Sequence, residues 1–445
     1  MANKLWQKAY ELDTQIEAFT VGRDRELDRR LAPFDILGSL AHGRMLSEVG
    51  LLEPAEFAQL EKVLQELYTR AAAGDFVIEE GVEDIHSQVE LILTKRLGDI
   101  GKKIHSGRSR NDQVLVDLRL YFREELAQLV DSMAALVRLL LQRSEAHRSD
   151  LMPGYTHLQV AMVSSFGLWF GAYAESLIDD LRLWRGIYDI INQNPLGSAA
   201  GYGSSFPLDR ERTTQLLGFR EPAYNVVHAQ MGRGKSELHL SFGLAATAQT
   251  LAKLAMDVCL YNSQNFGFLR LPEELTTGSS IMPHKKNPDV FELLRGRCNH
   301  LQSLPTQVSQ LQANLPSGYH REFQLLKEIL FPAIEQMKEV LHIAQYAISK
   351  LEVQVELLQD PKYELLYSVE AVNALVLEGT PFRDAYRMVG ESIAAGTFVP
   401  PKELKHTHLG SLGNLSNAAI EQKLLRVLDS FNFAVWRERL AELLV

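Results

Sequence analysis

The sequence predicts an all-α protein whose middle is built from five long helices. Three observations carry this reading. Apolar residues recur at steps of three and four nearly everywhere, strand-like alternation is scarce, and no low-complexity tract or short internal repeat interrupts the pattern.

The first helix is the plainest. From Leu115 the apolar positions Leu118, Phe122, Leu126, Leu129, Met133, Leu136 and Leu140 hold one stripe through a segment that ends before Pro153-Gly154. A second is expected from about Thr156 to Asn192, stopped by Asn194-Pro195-Leu196-Gly197, and a third from about Gly234 to Phe268. The fourth runs from Pro288 into the 310s with a kink at Pro305, and the fifth from about Glu322 to Val353. Helices of about 30 residues reach roughly 45 Å and must pack along their lengths. The second carries Val160, Val163, Phe166, Leu168, Trp169, Phe170 and Tyr173 in close succession, more than one neighbour's stripe needs, which predicts a homo-oligomer core, the alternative being a protected helix inside one large monomer. Around this central domain, residues 108–358, the flanks 1–107 and 359–445 read as smaller helical domains punctuated by Gly and Pro.

Composition narrows the function classes. A chain of 445 residues, 46% apolar and 23% charged, folds throughout and can bury a large core. A net charge of −10 excludes nucleic acid or an anionic membrane as the main partner. The two cysteines, Cys259 and Cys298, lack CxxC spacing, so neither a disulfide framework nor a zinc cluster is expected. The opening residues lack an apolar signal core, and no uncharged run reaches membrane-spanning length, which fits a cytoplasmic protein.

Three polar segments stand apart from the helical pattern: residues 102–113 (KKIHSGRSRNDQ), 153–159 (PGYTHLQ) and 278–289 (GSSIMPHKKNPD). Each is expected to abut the start of a long helix, where free N–H groups and the dipole suit a carboxylate. Taken singly, the first reads as an N-cap at Ser109, Asn111 or Asp112, and the second as a structural histidine beside a capping threonine. The third resists that treatment. Asn287-Pro288 fits a cap and first helical position, but Gly278-Ser279-Ser280 ahead of Met282-Pro283 makes a pliable loop able to approach a ligand, with Lys285 and Lys286 bringing positive charge. Other motifs fail. Gly232-Arg233-Gly234-Lys235-Ser236 lacks the first glycine of a phosphate loop, Gly201-Tyr202-Gly203 lacks the third glycine of a dinucleotide fingerprint, and no HExxH pair supports metal catalysis.

In this order and on this scaffold, the three segments resemble the fumarase/aspartase superfamily. GSSIMPHKKNPD is similar to its signature GSSxMPxKxNP, and GRSRNDQ with YTHLQ is similar to the argininosuccinate lyase family within it, over about Leu31 to Gly390. The resemblance implies a three-domain protomer, a homotetramer with each active site assembled from three chains, elimination of L-arginine from argininosuccinate to give fumarate, and no metal or organic cofactor. It places the catalytic serine on Ser279 and the active-site histidine on His157, with Lys285 stabilising charge on the reacting carboxylate. Substrate contacts fall on Ser109, Arg110, Asn111, Thr156 and Asn287, and on Tyr319, Gln324 and Lys327. Asp84 faces the arginine end. The chain departs from the pattern in three places. Only Lys4-Leu5-Trp6 remains of the usual opening stretch, Asp24 stands where a substrate-contacting serine is usual, and Met231-Gly232-Arg233-Gly234 keeps only the arginine of a Ser-Asp-Arg-Asp stretch.

Overall fold

The computed structural model describes residues 13–401 and 403–445, so Lys4-Leu5-Trp6 lies outside the described residues. Helices dominate, as the periodicity predicts. Among the described residues the strands form three two-stranded sheets, two of them pairing only two residues per strand.

The first long helix spans Arg110–Ala146. Ser109 starts it through a reciprocal cap: its Oγ accepts the Asn111 N–H, and Asp112 Oδ1 accepts the Ser109 N–H at 2.8 Å. The helix packs along Phe166–Ile191 and Leu326–Lys350. Where Phe166–Ile191 crosses Val226–Tyr261, Trp184 is wholly buried and its Nε1 donates to Thr247 Oγ1 at 3.0 Å.

The expected boundaries move in three places. The second helix begins at Phe166, because residues from Leu151 fold back on themselves as a hairpin: β1 (Leu151–Thr156) pairs antiparallel with β2 (Gln159–Ser165). Val163 and Ser165 point into the core on a two-residue period, and Ser165 Oγ then caps the helix by accepting the Leu168 N–H. Apolar spacing over so short a stretch does not separate this strand from a helical turn. The third helix starts at Val226 and breaks at Arg233–Gly234, near the predicted start. The fourth is two helices, Asp289–Leu301 and Leu304–Leu311, the second taking Pro305 in its first turn. Val163, Phe166, Trp169, Phe170 and Tyr173 are all buried within the chain itself, so their crowding alone requires no partner. Exposed apolar side chains do remain on the long helices, at Leu183, Phe242, Met256 and Leu293.

Helices Ala32–Glu48, Pro54–Ala72 and Ile85–Leu97 pack together and reach the start of the first long helix. Near the C-terminus, Val372, Ala385 and Val389 close a small core of their own, while Asn417–Phe431 and Phe433–Leu443 return to the main core. Buried Arg123 secures that return. Its guanidinium donates to Leu217 O, Gly218 O and Asn192 Oδ1 and lies 4.5 Å from the ring centroid of Phe219 and 4.6 Å from that of Trp436. Both cysteines are free. Among the described residues no helix is long and apolar enough to cross a membrane.

Candidate active site

A cavity of about 150 Å³ opens where the N-terminal helices meet the long ones. The Asp24–Leu27 helix and the turn after it contribute Asp24 and Asp28, and the start of Ile85–Leu97 contributes Asp84 and His86. The first turn of Arg110–Ala146 supplies Arg110 and Asn111, the helix break supplies Arg233, and the segment before Leu326–Lys350 supplies Tyr319, Arg321 and Gln324, followed by Lys327. Six of the residues singled out in the sequence therefore share one cavity: Asp84, Arg110, Asn111, Tyr319, Gln324 and Lys327. Ser109 sits beside them as the helix cap.

Ion pairs fill it. Asp84 caps its own helix, Oδ1 accepting the Ser87 N–H at 2.8 Å, and its Oδ2 accepts from Arg110. Arg110 also lies 3.2 Å from Glu83, whose other oxygen takes Arg321 at 2.8 Å. The carboxylate expected to face a substrate cation is thus already engaged on both oxygens. Lys327 Nζ lies 2.7 Å from Asp24 and 2.5 Å from Asp28. Burial opposes its charge, but the two carboxylates hold its pKa above the usual lysine range. Burial pushes Asp24 up to about 6, against the pull of Lys327. The Gln324 amide donates to Thr20 O and Val21 O, which ties the N-terminal helix to the cavity wall.

Sequence reasoning assigned no role to Asp28, His86, Arg233 or Arg321. His86 Nδ1 lies 2.6 Å from Asp35 Oδ1 and 3.4 Å from Asp117 Oδ2, all three residues being buried. Burial opposes an imidazolium there, yet the carboxylates raise its pKa overall. Arg233 donates to Phe323 O and pairs with Glu237 at 3.2 Å. It reaches them because the helix stops: Arg233 is extended (ψ 135°) and Gly234 adopts φ +80°, where a Cβ would stand 2.5 Å from Gln312 Oε1. The readable signal was a glycine on each side of an arginine inside a helical pattern.

The other predicted residues lie outside this cavity. Thr156 and His157 are exposed at the hairpin tip, not at a helix start. Thr156 pairs with Gln159, so His157 and Leu158 form a two-residue turn with φ +55° and +57°, a conformation that normally selects Gly or Asn. Ser279, Lys285 and Asn287 belong to a loop closed by an antiparallel bridge between Thr277 and Asn287. Asn287 is therefore a bridge partner, and the N-cap falls on Pro288. Within the loop, Ser279 Oγ accepts the backbone N–H of Met282 at 3.1 Å and that of Ile281 at 3.4 Å. Lys286 pairs with Glu273 at 2.5 Å, whereas the Lys285 ammonium makes no ion pair among the described residues. No hydrogen bond or ion pair joins the hairpin tip or this loop to the cavity among the described residues.

Comparison with known proteins identifies the family. A family model described as "Lyase" matches residues 11–302. An argininosuccinate lyase of Bacteroides fragilis is 57% identical over 433 residues, covering 97% of each chain. The chain belongs to the argininosuccinate lyase family. It is a lyase of the fumarase/aspartase superfamily, and the family extends to more distant relatives such as that of Thermotoga neapolitana, 42% identical over 88% of this chain and 98% of the other. Among solved structures, an EDDS lyase variant with bound fumarate superposes with a TM-score of 0.77 at 20% identity, covering 98% of this chain and 94% of the other. Class II fumarase from Schistosoma mansoni gives 0.70 at 19% identity, covering 92% and 91%. At that identity the likeness establishes the all-α fold.

Proposed function

We propose that this chain eliminates L-arginine from argininosuccinate to leave fumarate, with Ser279 taking the proton from the carbon beside the reacting carboxylate. One observation carries the assignment of the base. The Ser279 oxygen receives two backbone N–H groups, in a loop that also carries Lys285, which makes no ion pair among the described residues; backbone donors on that oxygen favour an oxyanion and so lower the cost of ionising a serine. Lys285 and Asn287 would stabilise negative charge building on the substrate carboxylate, and His157 would orient substrate or relay a proton. The cavity around Arg110, Asn111, Tyr319, Gln324 and Lys327 would receive the arginine portion.

This reading needs the hairpin tip, the serine loop and the cavity together, and the protomer holds them on separate elements. A homotetramer with sites shared between three chains meets that requirement, and the exposed Leu183, Phe242, Met256 and Leu293 are suited to its contacts. The protomer would comprise domains 1–107, 108–358 and 359–445. The absence of a disulfide among the described cysteines suits a reducing cytoplasm. The decisive experiment follows fumarate absorbance with purified protein. Release from argininosuccinate and none from adenylosuccinate supports the reading, and the reverse overturns it.

A further inference from the structure

Beyond Gly154 the β1–β2 hairpin has little to hold it. The ladder slips by one residue between Pro153 and Tyr155, and a Cβ on Gly154 would stand 2.8 Å from Met162 O, so the strands close tightly there. Only two cross-strand pairs lie further out, Tyr155 with Val160 and Thr156 with Gln159. They carry a turn that His157 and Leu158 disfavour, since both have positive φ and neither is Gly or Asn. Such backbone persists when its surroundings impose it. The surroundings here come down to one side chain. Thr156, His157, Leu158, Gln159 and Val160 are all exposed, Leu158 at 74%, and of these six outer residues Tyr155 alone packs against the body of the chain. Its ring centroid lies 5.4 Å from that of Phe266 and 6.1 Å from that of Phe268. Buried Tyr363, on the short helix Pro361–Tyr367, joins them: its ring lies 6.3 Å from Phe268, and burial and then the Tyr363 hydroxyl push the Tyr155 hydroxyl up to about 12.

We infer that Tyr155 is a positioning residue for His157: anchored on Phe266, Phe268 and Tyr363, it imposes the turn that aims the histidine. The inference rests on the proposed reaction for the task of His157. In a site shared between chains the hairpin tip works away from its own protomer, so its aim has to come from its base. A side chain that merely filled the core would leave the two positive φ angles without a cause, because nothing else in the outer hairpin is tied down among the described residues.

The test removes the anchor and then the strain. Tyr155→Ala should lower kcat for argininosuccinate by about tenfold to a hundredfold, the scale on which a misplaced group acts. Leu158→Gly suits a positive φ and should stay within about threefold of wild type. In the double variant the turn no longer needs imposing, so the rate should rise at least about threefold above that of Tyr155→Ala. A loss of core packing could not be rescued from an exposed position. Tyr155→Ala within about twofold of wild type, or a double variant no faster than Tyr155→Ala, overturns the inference. Should Tyr155→Ala fail to fold, Tyr155→Leu, which keeps an apolar contact, takes its place under the same criteria. Hydrogen exchange separates the inference from the reaction. The amides of Thr156 and Gln159 should exchange about tenfold faster in Tyr155→Ala and slow again in the double variant, and unchanged exchange overturns the inference. The expected exchange in a protein that releases no fumarate from argininosuccinate would sink the proposed reaction and leave Tyr155 as the anchor of the turn.

Discussion

The hydroxyl oxygen of Ser279 accepts the backbone N–H of Met282 at 3.1 Å, a contact that Ser280, one residue further on, does not make among the described residues. The two adjacent serines are therefore distinguishable by experiment. Ser279→Ala should lower kcat by about 10²–10⁴-fold with circular dichroism and elution volume unchanged, and Ser280→Ala should stay within about tenfold of wild type. If Ser280→Ala proves to be the dead enzyme, the base has been assigned to the wrong hydroxyl.

Shared sites predict complementation. Ser279→Ala and His157→Ala, each inactive, are dissociated together in mild denaturant and reassembled. With random association each site draws a sound His157 segment and a sound Ser279 segment independently, so about a quarter of sites are intact. Activity should reappear in the mixture but in neither variant treated alone, nor in the mixture before dissociation. Continued inactivity in tetramers demonstrated to be mixed would show that the site lies within one chain.

Asp180 gives a pH-dependent stability. Burial pushes its carboxyl up to about 6, with only the Thr250 hydroxyl, donating at 2.8 Å, in opposition. The folded chain holds this proton more tightly than the unfolded chain does, so stability falls as pH rises from about 4 through 6. Asp180→Asn removes the charge and can still accept from Thr250. It should raise the melting temperature at pH 8, by an amount corresponding to about 1–2 kcal/mol, and lose most of that gain at pH 4. A gain of equal size at both pH values would mean that ionisation is not its source.

Gly243 sets two effects against each other. Alanine is the better helix former by about 1 kcal/mol, but a Cβ at this position would lie 2.8 Å from Ile187 Cδ1 and 2.9 Å from the Trp184 ring. The isoleucine tip can yield, whereas the buried indole, fixed by its bond to Thr247, cannot. Overpacking of about 1–3 kcal/mol should win, so Gly243→Ala should melt at a lower temperature than wild type. A rise would show that the two helices can separate at that crossing.

The fold was legible because a long helix repeats its apolar period many times, as the stripe from Leu115 to Leu140 does. It was illegible where the period had no room to repeat, as in the hairpin from Leu151 to Ser165. The site divides along the same line. Ser279, His157 and Asn111 were singled out because they sit in short polar motifs that together resemble a known family; of the three, Asn111 lies in the cavity. Asp28, Arg233 and Arg321 received no role, because their importance comes from partners such as Lys327, Phe323 and Glu83, far away in sequence and brought near only by folding. The engagement of Asp84 by Arg110 was hidden for the same reason.

The break at Arg233–Gly234 leaves the stretch Val226–Gly232 as a short helical piece attached to a much longer one. So few turns cannot hold together alone in water, because the opening turn of any helix is unfavourable and is repaid only by continued growth. Its persistence depends on Asn225 at the start, on buried Gln230, which donates to Ser198 and Ala199 from the middle, and on the contacts of Arg233 at the end, which itself lines the cavity. Its amide protons should therefore exchange with solvent well before those beyond Lys235, and should slow when the cavity is filled. That difference in exchange lifetime would make Val226–Gly232 a built-in reporter of occupancy.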